Sequence, residues 1–197
     1  MPAVEPGRCG EHWDDCPRLA AGERFDFACA GCGDCCRQRR DLVLSGYDLY
    51  RIARRLSLSP RIVAAAFCKS YLAPESCLTP DPKTGNCRFF EGSACTIHAA
   101  RPLACALYPL GQSIDTVTAQ TEYYVQTPLC GARAGEARTL QDYLQDSAVL
   151  DRAGMDARWA IVCTQLSHRL QAAGGADNPR FSAAVRRMER ALYYDYE

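Results

Sequence analysis

The run C-A-G-C-G-D-C-C over residues 29–36 places Cys29, Cys32, Cys35 and Cys36 within one short stretch. Cys87, Cys95 and Cys105 form a second group, and Cys130 stands after a Pro-Leu pair. Thirteen cysteines in 197 residues, grouped in this way, exceed what core packing asks of a small apolar side chain. A chain of this length builds a core without staples, so the thiols are not needed to rescue a small fold. Thiolate is a soft, anionic ligand suited to zinc and to iron–sulfur clusters. Cys29/Cys32 and Cys32/Cys35 have the C-x-x-C spacing that closes on one ion around a turn. Cys35 and Cys36 pose a constraint, because adjacent side chains diverge by ~180° in a strand and ~100° in a helix. Regular backbone does not aim both at one ion, so one is spare or the two serve different centres. Eight thiols (Cys29, Cys32, Cys35, Cys36, Cys87, Cys95, Cys105 and Cys130) would fill two four-thiolate sites, or one zinc site and one cluster.

Lys plus Arg equals Asp plus Glu, 23 each, for a formal net charge of zero. Nucleic-acid or anionic-membrane binding runs on excess positive charge, and neither is expected. The start, Met1 to Pro6, has no basic n-region and no apolar h-region, and apolar runs such as residues 62–67 are too short to cross a bilayer. A soluble cytoplasmic protein is expected. There, thiols stay reduced, and an odd count excludes complete internal pairing.

Residues 1–25 read as a polar, loosely ordered lead-in in which Cys9, His12 and Cys16 are incidental, with a ligand cluster as the alternative. Residues 26–135 hold both cysteine groups, and residues 136–197 read as a helical extension packed on that core. Ser45-Gly46-Tyr47-Asp48 resembles a capping box before apolar Leu49, Ile52, Ala53 and Leu56 at helical spacing. Ser59-Pro60 opens a second helix with Ile62, Val63, Ala66 and Phe67 as its buried stripe. Residues 74–86, rich in Pro, Asp, Thr and Gly, read as a loop. Residues 87–90 and 94–97 flank Glu91-Gly92-Ser93 in a hairpin pattern. Arg101-Pro102 breaks the chain before a helical turn over 103–108. Residues 114–119 and 122–126 read as a strand pair. Thr139 caps a helix through Leu140, Tyr143 and Leu144, and further helices cover Trp159 to Leu170 and residues 181–192. The fold class expected is α+β: a small cysteine-rich core with short hairpins and several packed helices.

Cys68 and Cys163 fall on helical stretches as buried small residues, and Cys77 lies in the loop as a weak ligand candidate. Cys29, Cys32 and Cys35 match the first three positions of a ferredoxin-type run, but Arg39 stands where the fourth cysteine belongs. Arg37, Arg39 and Arg40 could offset the charge of a thiolate site, or form a solvated basic run. His98 is either an imidazole ligand or a hydrogen-bonded structural residue. Asp34, His98, Arg101 and Tyr108 are the acid, base or polar groups near the cysteines, and each has a structural explanation too. No Ser-His-Asp set, His-Glu-x-x-His helix or phosphate loop is present, so no catalytic residue is assigned.

The combination of C-x-x-C-x-x-C-C at Cys29, Cys32, Cys35 and Cys36, Cys87 with Phe89, Cys95 with Ile97, Arg101-Pro102, Cys105, and Tyr108-Pro109 resembles the YkgJ-type cysteine-cluster family. It covers about residues 26–130. The resemblance implies chelation of zinc or iron. Two positions depart from the pattern: His98 replaces a usual tyrosine, and Ala106 a common basic residue. Flagellin lysine methylases carry a similar cysteine-rich module, which implies that some relatives act on protein side chains. A metal ion or cluster is therefore the expected partner, with a protein or peptide as a candidate second one. An iron–sulfur-dependent enzyme or electron-transfer accessory is the alternative to a metal-binding module, and a thiol-redox sensor is a further one.

Overall fold

A computed structural model describes residues 16–27, 32–37, 42–70, 76–126, 137–174 and 182–195. It is α+β, with several small antiparallel sheets between six helices. No helix among the described residues is long and apolar enough to cross a membrane.

Ser45 and Asp48 do form a capping box. The Ser45 hydroxyl accepts from the Asp48 N–H at 3.0 Å, and the Asp48 carboxylate accepts from the Ser45 N–H at 3.1 Å, which satisfies two donors that a helix start leaves open. Helix α1 (Gly46–Leu56) follows. Ser59 caps α2 (Pro60–Phe67), with Pro60 in the first turn. Of the expected apolar stripe on α2 only Val63 is fully buried, and Ile62 is exposed. Ala64 and Phe67 are partly buried against the core that holds Val63.

The segment read as a loop over 74–86 holds a strand. Strand β5 (Ser76–Leu78) pairs on both sides, with β3 (Leu42–Leu44) and β4 (Cys68–Ser70). Cys68 thus opens a strand rather than riding a helix, and Cys77 sits fully buried in the central strand. Burial, and Cys77 beside it, push the Cys68 thiol up to about 11.

The lead-in is also built into the fold from its sixteenth residue. Strand β1 (Arg18–Leu19) pairs with β9 (Thr121–Val125), and β2 (Arg24–Phe25) with β10 (Arg138–Thr139). Strand β8 (Leu110–Ile114) pairs with β9, so the strand pair near 114–126 begins four residues earlier than its β-branched run suggests. Residues 115–120 are its turn. There Asp115 accepts the N–H groups of Val117 and Thr118 at 2.7 and 2.9 Å. Asp81 holds Lys83 and Thr84 in the same way, both at 2.9 Å, so one turn chemistry closes two loops.

Two cores result. Leu19, Phe25, Phe27, Leu107, Val125 and Tyr143 belong to one, between the β1-β9-β8 sheet and α4 (Leu140–Asp146), whose N-cap is Thr139. Leu44, Leu49, Ile52, Val63, Phe89 and Ile97 belong to the other. Helix α5 (Ala153–Ala172) and helix α6 (Ser182–Tyr193) pack on α1. The aromatic tail packs on its own chain: Tyr193 is buried in the second core, and its hydroxyl donates to the Leu44 carbonyl at 3.3 Å and accepts from the Ser76 N–H at 2.8 Å.

Candidate metal centre

The cysteines are delivered by four short pieces of backbone around the second core. Gly33, in the left-handed region at φ +75°, turns the chain into a single 3-10 turn, Asp34–Cys36. A side chain at Gly33 is strained by that φ and meets the Phe90 ring, 2.2 Å from where a Cβ would stand. Arg37 lies over the other part of this arrangement, its guanidinium 4.9 Å from the Phe90 centroid and 3.6 Å from Asp34. Gly33→Ala is therefore expected to cost about 1–2 kcal/mol and to displace the Cys35-Cys36 turn, lowering metal uptake. Parallel melting and metal titrations of the variant check this, and unchanged metal uptake would count against it.

Cys87 is placed by two main-chain contacts: an isolated antiparallel bridge to Pro80, and donation of its N–H to the Cys36 carbonyl at 2.8 Å. This last bond ties the two cysteine groups together directly. Strands β6 (Phe90–Glu91) and β7 (Ala94–Cys95) form the expected hairpin, with Phe90 opposite Cys95 and Gly92 at φ +60° in the turn. Buried Phe89 and Ile97 anchor its two arms. Arg51 on α1 holds the next segment by donating to the carbonyls of Ala99 and Arg101 at 2.9 and 3.5 Å. Helix α3 (Leu103–Leu107) then brings in Cys105. Its neighbour Ala106 is buried in the first core, which accounts for a small apolar residue there.

Cys87, Cys95 and Cys105 are half-buried against the second core. The sulfurs of Cys35 and Cys36 lie 4.0 Å apart. Two thiolates on one tetrahedral zinc, each at ~2.3 Å, stand about 3.8 Å apart. The 3-10 turn therefore does what a strand or helix would not, and brings the vicinal pair to a separation suited to one ion. Cys36 is held far above an ordinary thiol by its hydrogen bond with Cys35, by burial, and by charge on Cys35, Cys87 and Cys105. Burial raises Cys95, the Ile97 N–H partly offsets this, and Cys87 and Cys35 raise it further. Five thiols thus feel one another and resist shared ionisation, a state that a bound cation relieves. Among the described residues no three Cys, His, Asp or Glu side chains form a group that could hold a metal ion. Cys35 and Cys36 are the two donors brought close, and thiolate suits a soft metal.

Cys32 is free and partly buried, with no interaction to the other thiols seen among the described residues. Cys29 and Cys130, like Cys9, His12, Arg39 and Arg40, lie outside the described residues. Cys16 is disulfide-bonded, so it is not incidental. His98 is exposed and pairs with Arg101, whose Nη1 stands 2.6 Å from Nε2, and burial and that cation hold its pKa down. Tyr108 packs edge-on to Phe27 at 5.9 Å. Asp34 shapes its turn and pairs with Arg37.

Sequence reasoning missed one cluster beside the cysteines. Arg152 is 2 % exposed and bridges Asp48 at 2.7 Å and Asp156 at 2.6 and 2.8 Å. Asp48 also accepts from the Leu103 N–H at 3.0 Å, joining the starts of α1 and α3. The Arg-x-x-x-Asp spacing at a helix start was the available signal, but it reads equally as a surface pair.

Residues 28–131 match the family described as "CxxCxxCC: Putative zinc- or iron-chelating domain". The chain belongs to this family. The matched span of the CxxCxxCC domain contains the vicinal pair, the β6–β7 hairpin and α3, the pieces that assemble the thiols. No curated protein and no solved structure matches the chain.

Proposed function

We propose that the chain is a thiolate metal protein whose centre is held by Cys35, Cys36, Cys87, Cys95 and Cys105, with Cys29, Cys32 and Cys130 completing one or two centres. The approach of the Cys35 and Cys36 sulfurs to 4.0 Å, with the Cys36 carbonyl held by the Cys87 N–H, carries this reading. Bound there, zinc would brace the fold, whereas an iron–sulfur cluster would carry electrons. Residues 26–135 are the metal-binding domain in this reading, with 136–197 as a helical extension. Zero net charge supports a partner other than nucleic acid. The disulfide at Cys16 is the sign against a fully reducing compartment. A second reading, an iron–sulfur-dependent enzyme or electron-transfer accessory acting on a protein or peptide side chain, draws support from Cys35 lining a cavity of about 970 Å³.

Anaerobic purification followed by elemental analysis and an absorption spectrum tests both. Stoichiometric zinc in a colourless sample supports the first form, and iron with a broad visible band the second. A chain that retains neither metal, and takes up neither on titration, would overturn the proposal.

A further inference from the structure

The cavity beside Cys35 has an unbalanced floor. It opens between α5, α3 and β8, and both Asp48 and Asp156 line it although each is almost fully buried. One guanidinium, Arg152, serves both carboxylates, whose side chains are 3–4 % exposed. Asp48 is further satisfied by the N–H groups of Ser45 and Leu103. Asp156 accepts only the two bonds from Arg152 among the described residues, half of what a carboxylate takes. Arg51 acts on Asp156 through space, but its guanidinium is held on the carbonyls of Ala99 and Arg101. Arg37, which also lines the cavity, is paired with Asp34, and His168 on α5 is exposed. Asp48 and Asp156 together carry one negative charge more than the single guanidinium that contacts them, whose Nη1 is itself buried without a hydrogen-bond partner among the described residues. Trp159 and Tyr108 supply aromatic walls, and such faces attract cations.

We propose that this cavity binds an organic ammonium ion, its cationic head against Asp156 and its hydrocarbon part along Trp159 and Tyr108. The molecule would lie beside the Cys35 thiol, since Cys35 lines the same space. The inference does not rest on the metal reading.

Calorimetric titration of the full chain with hexylammonium, hexanol and hexanoate isolates the charge. Hexylammonium is expected to bind roughly tenfold to a hundredfold more tightly than hexanol, the scale of one charge-assisted hydrogen bond, and hexanoate more weakly than either. Asp156→Asn should bring hexylammonium down to the affinity of hexanol. Should that variant fail to fold, Ala160→Phe serves instead. Ala160 is half-buried on the cavity face of α5, outside the ion cluster, and the larger ring fills the space and should abolish binding of both amine and alcohol. Absence of hexylammonium binding, equal affinity for hexylammonium and hexanol, preference for hexanoate, or unchanged binding in Ala160→Phe would each overturn the proposal.

Discussion

Cys36→Ser is expected to weaken zinc binding by about two to three orders of magnitude. A four-thiolate zinc site contributes ~10–16 kcal/mol of apparent binding energy. An equal share per ligand is about 3–4 kcal/mol, and each 1.4 kcal/mol is tenfold in affinity. The Cys36 thiol is pushed up by its hydrogen bond with Cys35, by burial, and by charge on Cys35, Cys87 and Cys105, so its loss removes a donor that acts on those three. Serine keeps the size and loses the soft anion. Competition against a chromophoric chelator measures the change. Cys77→Ala is the control: that thiol is buried in the central strand β5, so its loss should cost about 1 kcal/mol of stability with metal affinity kept. Equal affinities of Cys36→Ser and the unaltered chain would remove Cys36 from the centre.

Arg152→Leu should lower the melting temperature by about 6–20 °C. Removing one member of a buried ion pair leaves uncompensated charge and costs about 3–5 kcal/mol, and a chain of this size loses about 2–4 °C per kcal/mol. Here two carboxylates are orphaned at once. Burial alone would weaken the Arg152 cation, but its hydrogen bond to Asp156 and the charges of Asp48 and Asp156 hold it firmly protonated. Burial already raises Asp156, against the pull of Arg152. Without the guanidinium the Asp156 carboxyl, already raised by burial, stands further above its unfolded value. Its penalty is absent below the unfolded carboxyl range and grows as pH rises towards the raised folded value. The deficit of Arg152→Leu relative to the unaltered chain should therefore be smaller near the acid end than at neutrality. A deficit independent of pH would assign the loss to packing alone.

The elements that could be read from the residues are those with chemical punctuation. Ser45 with Asp48, Ser59-Pro60 and Thr139 each announce a helix because a side chain there must satisfy a bare N–H. The β3-β5-β4 sheet has no such mark. Its strands are three residues long, and β5 is embedded in a stretch whose Pro, Asp and Gly signal turns. Cys68 reads as helical from the sequence because the α2 pattern runs up to Phe67, just before it. At the candidate site, residue type and spacing singled out the thiols of Cys35, Cys36, Cys87, Cys95 and Cys105 as ligand candidates. The convergence of Cys35 and Cys36 depends on a left-handed Gly33 and a 3-10 turn, which no periodicity rule encodes. The Arg152 cluster was illegible for a different reason: burial of a charge is a tertiary fact, and Arg and Asp are exposed by default.

The buried guanidinium has a consequence for biosynthesis. Cys35, Cys36, Cys87, Cys95 and Cys105 all leave the ribosome before Arg152 is made, roughly fifty residues after Cys105, which is about 3–10 s of elongation. During that interval the nascent chain presents its sulfur donors while the Asp48 latch, which ties α1 to α3, has no counter-ion. Delivery of an ion in that window would meet a pliable, open cage, and translation of α5 would then lock it.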